Sequence, residues 1–150
     1  MAGYSGTPLL SKIGIKPGQR VILRNHPASF VKDLGPLPEG AAISERLAGK
    51  ASVVIHFTDK LADLEKSFSG LMKVQLPDGM IWIAWPKKVS GKPTDLNENI
   101  VRETGLNIGL VDVKVCAIDE TWSGLKFVVR LKDRPPKNAA EHNAKKQKEQ

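Results

Sequence analysis

SVVIHFTDKLADLEKSFSGLMKVQLPDGMIWIAWP, residues 52–86, is the stretch that decides the fold. It opens on SVVIHF, 52–57, a continuous run rich in β-branched residues, of the kind that is buried on both faces in a parallel sheet. Thr58 can cap a helix that starts directly after it. From Asp59 onward Leu61, Leu64, Phe68, Leu71 and Met72 recur at spacings of three and four, which marks one face of a helix that must end before Pro77. Asp78-Gly79 predicts a turn, and 80–85 a second all-apolar strand. Strand, helix and strand in this order are the repeating unit of an α/β protein.

Downstream, AWPKKVSGKPTDLNENIVRE, 84–103, passes through a lysine-rich turn into a further helix. Asp95 with Glu98 three residues later has capping-box form, and Leu96, Ile100 and Val101 supply the apolar stripe. Gly105-Leu106 reads as the C-cap with its hydrophobic contact. In 110–118 Val111, Val113 and Val115 alternate against Asp112 and Lys114, and LKFVVRL, 125–131, alternates likewise. The DETWSG between them is short enough to join an antiparallel pair.

Upstream, Thr7-Pro8 has the form of an N-cap and first helical position, so TPLLSKIG predicts a short helix ended by Gly14. RVILR, 20–24, is a strand, NHPASFVKDLG a loop and brief helix closed by Gly35, and AAIS, 41–44, a weak strand. The last of these is at odds with its surroundings. Only about seven residues separate it from SVVIHF, against the dozen or so of an ordinary parallel crossover. A frayed edge, or no strand at all, is the alternative there.

At 150 residues the chain suits one core, placed in 1–132. Beyond Lys132 no apolar period remains, so 133–150 is expected to be a disordered basic tail. An apolar share of 41% and a charged share of 26% are those of a soluble globular protein, with no run long enough to span a bilayer. The N-terminus has no basic region leading into an apolar core and a small-residue cleavage site, and the lone Cys116 cannot close an internal disulfide. A reducing cytoplasm is therefore the expected compartment. Of the net charge of +7, +3 sits in residues 132–150, so the body is only mildly basic.

The succession KPGQRVILR, SVVIHFTD and LPDGMIWIAWP resembles the first, fourth and fifth strands of a class I S-adenosylmethionine methyltransferase. From about Thr7 to Arg134 the chain is similar to a family of small, uncharacterised bacterial proteins with a trimmed domain of that kind. The strings IGIKPGQRV, WPKKVSGKPTDLNENIVRE and GLVDVKVCAIDETWSGLKFVVRLKDR carry the likeness. The resemblance implies a three-layer, Rossmann-like α/β fold: a mostly parallel sheet of five or six strands with a C-terminal antiparallel pair. It implies S-adenosylmethionine as the cofactor, but the sequence departs from the pattern where that cofactor would sit. The turn after the first strand is Asn25-His26-Pro27-Ala28, which has no glycine to let a cofactor approach the backbone and loses a donor at Pro27. No cofactor is therefore expected in the usual mode. Glu45 is the nearest counterpart of the acidic residue that would hold the ribose.

In an open parallel sheet ligands lie over the carboxyl ends of the strands. Asn25, Thr58, Trp85 and Trp122 are expected to line that crevice. His26 and Asp59 are the candidate base and orienter, against a reading in which both merely favour helix starts. His56, inside its apolar run, reads as a core histidine. Lys87, Lys88, Ser90 and Lys92 precede a helix N-terminus and would suit an anionic small molecule, against a solvated turn. The three histidines lack metal-ligand spacing, so no metal is expected. Three functions stand: a small binding or regulatory module with a degenerate cofactor motif, a transferase using S-adenosylmethionine or a nucleotide at an altered site, and nucleic-acid association through the lysine loop and tail.

Overall fold

The strand-helix-strand reading of 52–86 is what the computed structural model shows, and it describes residues 8–135. The helices are α1 (Leu9–Ile13), α2 (Ala28–Leu34), α3 (Leu61–Val74) and α4 (Glu98–Asn107). The strands are β1 (Arg20–Arg24), β2 (Ala42–Ser44), β3 (Ala51–Phe57), β4 (Gln75–Pro86), β5 (Leu110–Ala117) and β6 (Trp122–Val129). They form one sheet in the order β2-β1-β3-β4-β6-β5, parallel from β2 to β4, with β6 antiparallel to both its neighbours. The α/β class, the adjacent parallel strands and the terminal antiparallel pair all stand as expected.

Alternation along the strands feeds two cores. Ile22, Val54, Ile81 and Ile83 pack with Leu64, Phe68 and Leu71 of α3 and Val101 of α4. On the other face Val21, Leu23, Val53, Ile55 and Trp82 pack with Ile13 of α1 and Phe30 and Leu34 of α2. Because β3 feeds both, five of its residues from Val53 to Phe57 are buried, which is why its sequence is a continuous apolar run.

The doubtful strand at 41–44 is real, and its shortness is what admits the brief connection. Ser44 and Val54 both lie level with Ile22. The chain from Ser44 to Ala51 must therefore cross about 10 Å of sheet and retreat about 10 Å along it. Six extended residues reach roughly 20 Å, which suffices without a helix. The crossing is tied down by both arginines of β1: Arg20 Nη1 donates to the carbonyls of Ala48 at 2.7 Å and Lys50 at 3.1 Å, and Arg24 Nη1 to that of Glu45 at 3.1 Å.

Several local readings need correction. Thr58 does not cap α3, which starts at Leu61; its hydroxyl instead donates to the carbonyl of Lys60 and accepts from its amide, both at 3.3 Å. Asp78-Gly79 is not a turn before the strand but part of a bulge within it, where Ala51 faces Gln75 and Val53 faces Met80. Gly79 fits there because a Cβ would stand 2.9 Å from the Ser52 carbonyl oxygen. The α4 cap is Asn97, whose side chain accepts from the Ile100 amide at 2.9 Å. Asp95 instead accepts from the amide of Leu61 at 2.8 Å and so caps α3 across space. Gly105 is no C-cap but a buried residue inside α4, facing the Phe127 ring. Finally, a register shift between Asp112 and Lys114 breaks the alternation of β5, leaving Val113 56% and Val115 42% exposed.

Thr7 and the tail from 136 onward lie outside the described residues, so the Thr7 cap and most of the expected tail do too. No helix among the described residues is long and apolar enough to cross a membrane.

Candidate functional site

A cleft of about 590 Å³ opens over the carboxyl ends of β1 and β3, beside the β5–β6 hairpin. Each wall comes from a segment leaving the sheet. Asn25 and Pro27 come from the turn after β1, and Phe57, Thr58, Asp59 and Lys60 from the β3–α3 connection. Asp63 of α3, Lys92 of the lysine loop and Thr121 and Trp122 of the hairpin complete it. Trp122 stacks edge-on against Phe57, with ring centroids 5.1 Å apart, and that pair is the apolar end of the cleft.

Asn25 is the pivot of the first wall. Its φ of +57° is the one positive value at a non-glycine residue among the described residues. The chain therefore makes a left-handed turn directly after β1, as a glycine would, but does it with asparagine, which tolerates that region.

Of the expected crevice residues, Asn25, Thr58 and Trp122 line the cleft. Trp85 does not: it is only 5% exposed and belongs to the core under α3 and α4, because the strand alternation turns it to that face. His26 and Asp59 are not brought together. His26 Nε2 lies 3.2 Å from Glu45 Oε1, in a separate pocket of about 330 Å³ at the ends of β1 and β2, whereas Asp59 lines the main cleft. The lysine loop divides. Lys92 reaches the cleft, with its Nζ 5.9 Å from the centre of the Trp122 ring. Lys87 and Lys88 do not line it. Ser90 spends its hydroxyl on the loop itself, donating to the Lys87 carbonyl at 2.7 Å and accepting from the Lys92 amide at 3.1 Å. α4 starts only at Glu98, behind its own Asn97 cap, so these lysines do not stand at its N-terminus.

A pair that sequence reasoning did not assemble is His56 with Asp63. Nε2 of His56 lies 3.0 Å from Oδ2 of Asp63, while Oδ1 accepts from Ser67 Oγ at 3.3 Å. His56 is 2% exposed, and its Nδ1 is buried with no partner among the described residues. Burial pushes the imidazole below its ordinary value; Asp63 opposes that shift and Arg24 adds to it. The contact is thus a neutral imidazole donating Nε2–H to a carboxylate, which leaves Nδ1 as the bare nitrogen. Burial pushes Asp63 up, but hydrogen bonds from Thr58, His56 and Ser67 outweigh it and hold the carboxyl below its usual range. Asp63 therefore presents a fixed negative charge to the cleft. The available signal was a histidine near the end of a buried strand with an aspartate in the first turn of the following helix. The helical period did not single it out, because Asp63 lies off the apolar stripe.

This pair makes acid sensitivity measurable. As pH falls below the ordinary histidine value of 6.5, the unfolded chain takes up the proton before the folded one does. Stability is expected to drop by up to about 1.4 kcal/mol per pH unit until the folded imidazole is itself protonated. Asp63 extends the loss below its ordinary value of 3.8, because its folded carboxyl resists protonation. Urea titrations across this range check the slope, and His56→Leu should flatten its upper part. An unchanged slope in that variant would refute the assignment.

Among the described residues no group of three or more His, Cys, Asp or Glu is placed to hold a metal ion. Cys116 is half-buried, its thiol pushed up by burial, in keeping with a packing role.

No protein-family model matches the sequence, and no curated protein matches it at a significant level. Solved structures do. The chain is similar to an S-adenosylmethionine-dependent methyltransferase from Aquifex aeolicus, with 14% identity over 81% of this chain and 88% of that one and a TM-score of 0.59. It is similar to the N-methyltransferase NodS from Bradyrhizobium japonicum, with 12% identity, 79% and 88% coverage and a TM-score of 0.52. It is also similar to magnesium protoporphyrin IX methyltransferase from Synechocystis with bound S-adenosylhomocysteine, with 14% identity, 81% and 78% coverage and a TM-score of 0.52. At these identities the likeness is one of fold: the chain has a methyltransferase-like, Rossmann-like architecture.

Proposed function

We propose that this chain is a small binding module on a methyltransferase-like scaffold, which takes a polar small molecule in the cleft and does not hold S-adenosylmethionine in the usual mode. The observation that carries this is the turn after β1. Asn25 and Pro27 line the cleft at the turn, where bare glycine backbone would be needed for a cofactor to approach. Pro27 also removes an amide that could have donated to it. What remains is a cleft with carboxylates at Asp59 and Asp63, ammonium groups at Lys60 and Lys92, and an aromatic end, which suits a ligand carrying both charge and a flat apolar part.

Calorimetric titration with S-adenosylmethionine and S-adenosylhomocysteine tests the reading. The expected result is no binding at micromolar strength, which would correspond to about −8 kcal/mol. Micromolar binding of either compound would overturn the proposal and restore the transferase.

A further inference from the structure

Outside the cleft, the β5–β6 pair presents lysines on its α1 side that no ion pair answers among the described residues. The register sets Lys114 of β5 directly opposite Lys126 of β6, with Cys116 and Gly124 as the next pair on that face. Lys114 Nζ donates to the Lys12 carbonyl at 3.2 Å, which turns the side chain toward α1. Lys16, just past α1, is close enough to act on Lys126: burial chiefly, and then Lys114 and Lys16, hold the Lys126 ammonium below its ordinary value. Lys87, just after β4 and held there by its amide donating to the Thr121 carbonyl at 2.7 Å, adds positive charge toward Cys116. Among the described residues Lys16, Lys87, Lys114 and Lys126 form no ion pair.

Like charges directly opposite one another in a strand pair repel, and a half-buried ammonium adds desolvation to that repulsion. An arrangement of this kind is unfavourable for folding alone and becomes favourable once an anion lies across it. The lysines come from four separate segments spread over a sheet surface, and none of Lys16, Lys87, Lys114 or Lys126 lines either pocket described above. Their complement is therefore extended rather than a single small ion. We propose that this face binds the phosphodiester backbone of a nucleic acid, with Lys114 and Lys126 as its central contacts and Lys16 and Lys87 flanking them. The surface is distinct from the polar-ligand cleft and does not depend on it.

Fluorescence anisotropy of the full chain with a short labelled DNA duplex and a short labelled single-stranded RNA tests this, and the two probes distinguish the sources of the backbone. Binding is expected at about 50 mM salt and should weaken roughly 40-fold at about 200 mM, as for roughly three phosphate contacts. Lys114→Gln/Lys126→Gln should weaken binding about tenfold or more at the lower salt and reduce the salt slope. Its thermal midpoint should stay the same or rise, because the repulsion is removed, whereas a structural role for these lysines would lower it. The same loss should appear when Lys145→Gln/Lys146→Gln is already present in the tail. Wild-type-like binding by the Lys114/Lys126 variant, no wild-type binding at low salt, or preference for phosphatidylserine-containing vesicles over both nucleic acids would each overturn the proposal.

Discussion

Trp82→Ala is expected to lower the unfolding free energy by about 5 kcal/mol. Trp82 lies in β4, fully buried in the core under α1 and α2, so truncating it removes the largest fully buried side chain among the described residues. Large-to-alanine changes of this kind cost about 3 to 5 kcal/mol through lost transfer energy and the cavity left behind. The indole also donates Nε1–H to the carbonyl of Ile13 at 3.0 Å. That oxygen ends a helix of five residues, too short to persist without tertiary support. Losing the donor leaves a buried carbonyl unsatisfied at about 1 to 3 kcal/mol, and detaches α1 from the sheet. Urea unfolding of Trp82→Ala and Trp82→Phe separates the two contributions, since phenylalanine keeps most of the packing and loses only the donor. A loss below about 2 kcal/mol in the alanine variant would contradict this account of the core.

Gly105→Ala is expected to destabilise by about 2 kcal/mol, the opposite of what alanine does at most helical glycines. An ordinary exchange inside a helix returns about 1 kcal/mol through backbone entropy and propensity. At this position an added Cβ would collide with the edge of the Phe127 ring, which is itself fully buried. The ring has little room to retreat, because it stacks edge-on against Phe68 of α3 with centroids 5.5 Å apart. Overpacking costs about 1 to 3 kcal/mol, and disturbing the aromatic pair up to about 1.5 more. Gly70 in α3 is the internal control. There a Cβ would meet only the tip of Leu47 at 3.2 Å, so Gly70→Ala should be neutral or stabilising. If both variants moved the denaturation midpoint in the same direction, the close approach of α4 to β6 would not be what places glycine at 105.

The candidate site was legible in part. That a cleft would lie over the carboxyl ends of the parallel strands followed from the order of elements, and Asn25 and Thr58 line it for that reason, whereas Trp122 enters it from the start of the antiparallel β6. Trp85 was misplaced because a run buried on both faces carries no period to say which way each side chain turns. Asp63 was overlooked for the converse reason: a helical period separates apolar from polar, but does not distinguish a polar residue facing water from one facing a cleft.

By itself the sequence determined the order of elements and the class of fold. Spacings of three and four residues in 61–72 and β-branched runs at 20–24 and 52–57 are properties of neighbouring residues, and so are visible along the chain. Only the tertiary structure decided who partners whom. Asp95 caps a helix whose first amide is 34 residues away, His26 meets Glu45 rather than Asp59, and His56 meets Asp63. The strand at 42–44 rests on its pairing with β1 and on the register that brings Ser44 within reach of Ala51. Gly105 looks like a helix terminus until Phe127 is seen against it. Each of these depends on distances between atoms brought together by folding, and hydrophobic periodicity carries no record of such distances.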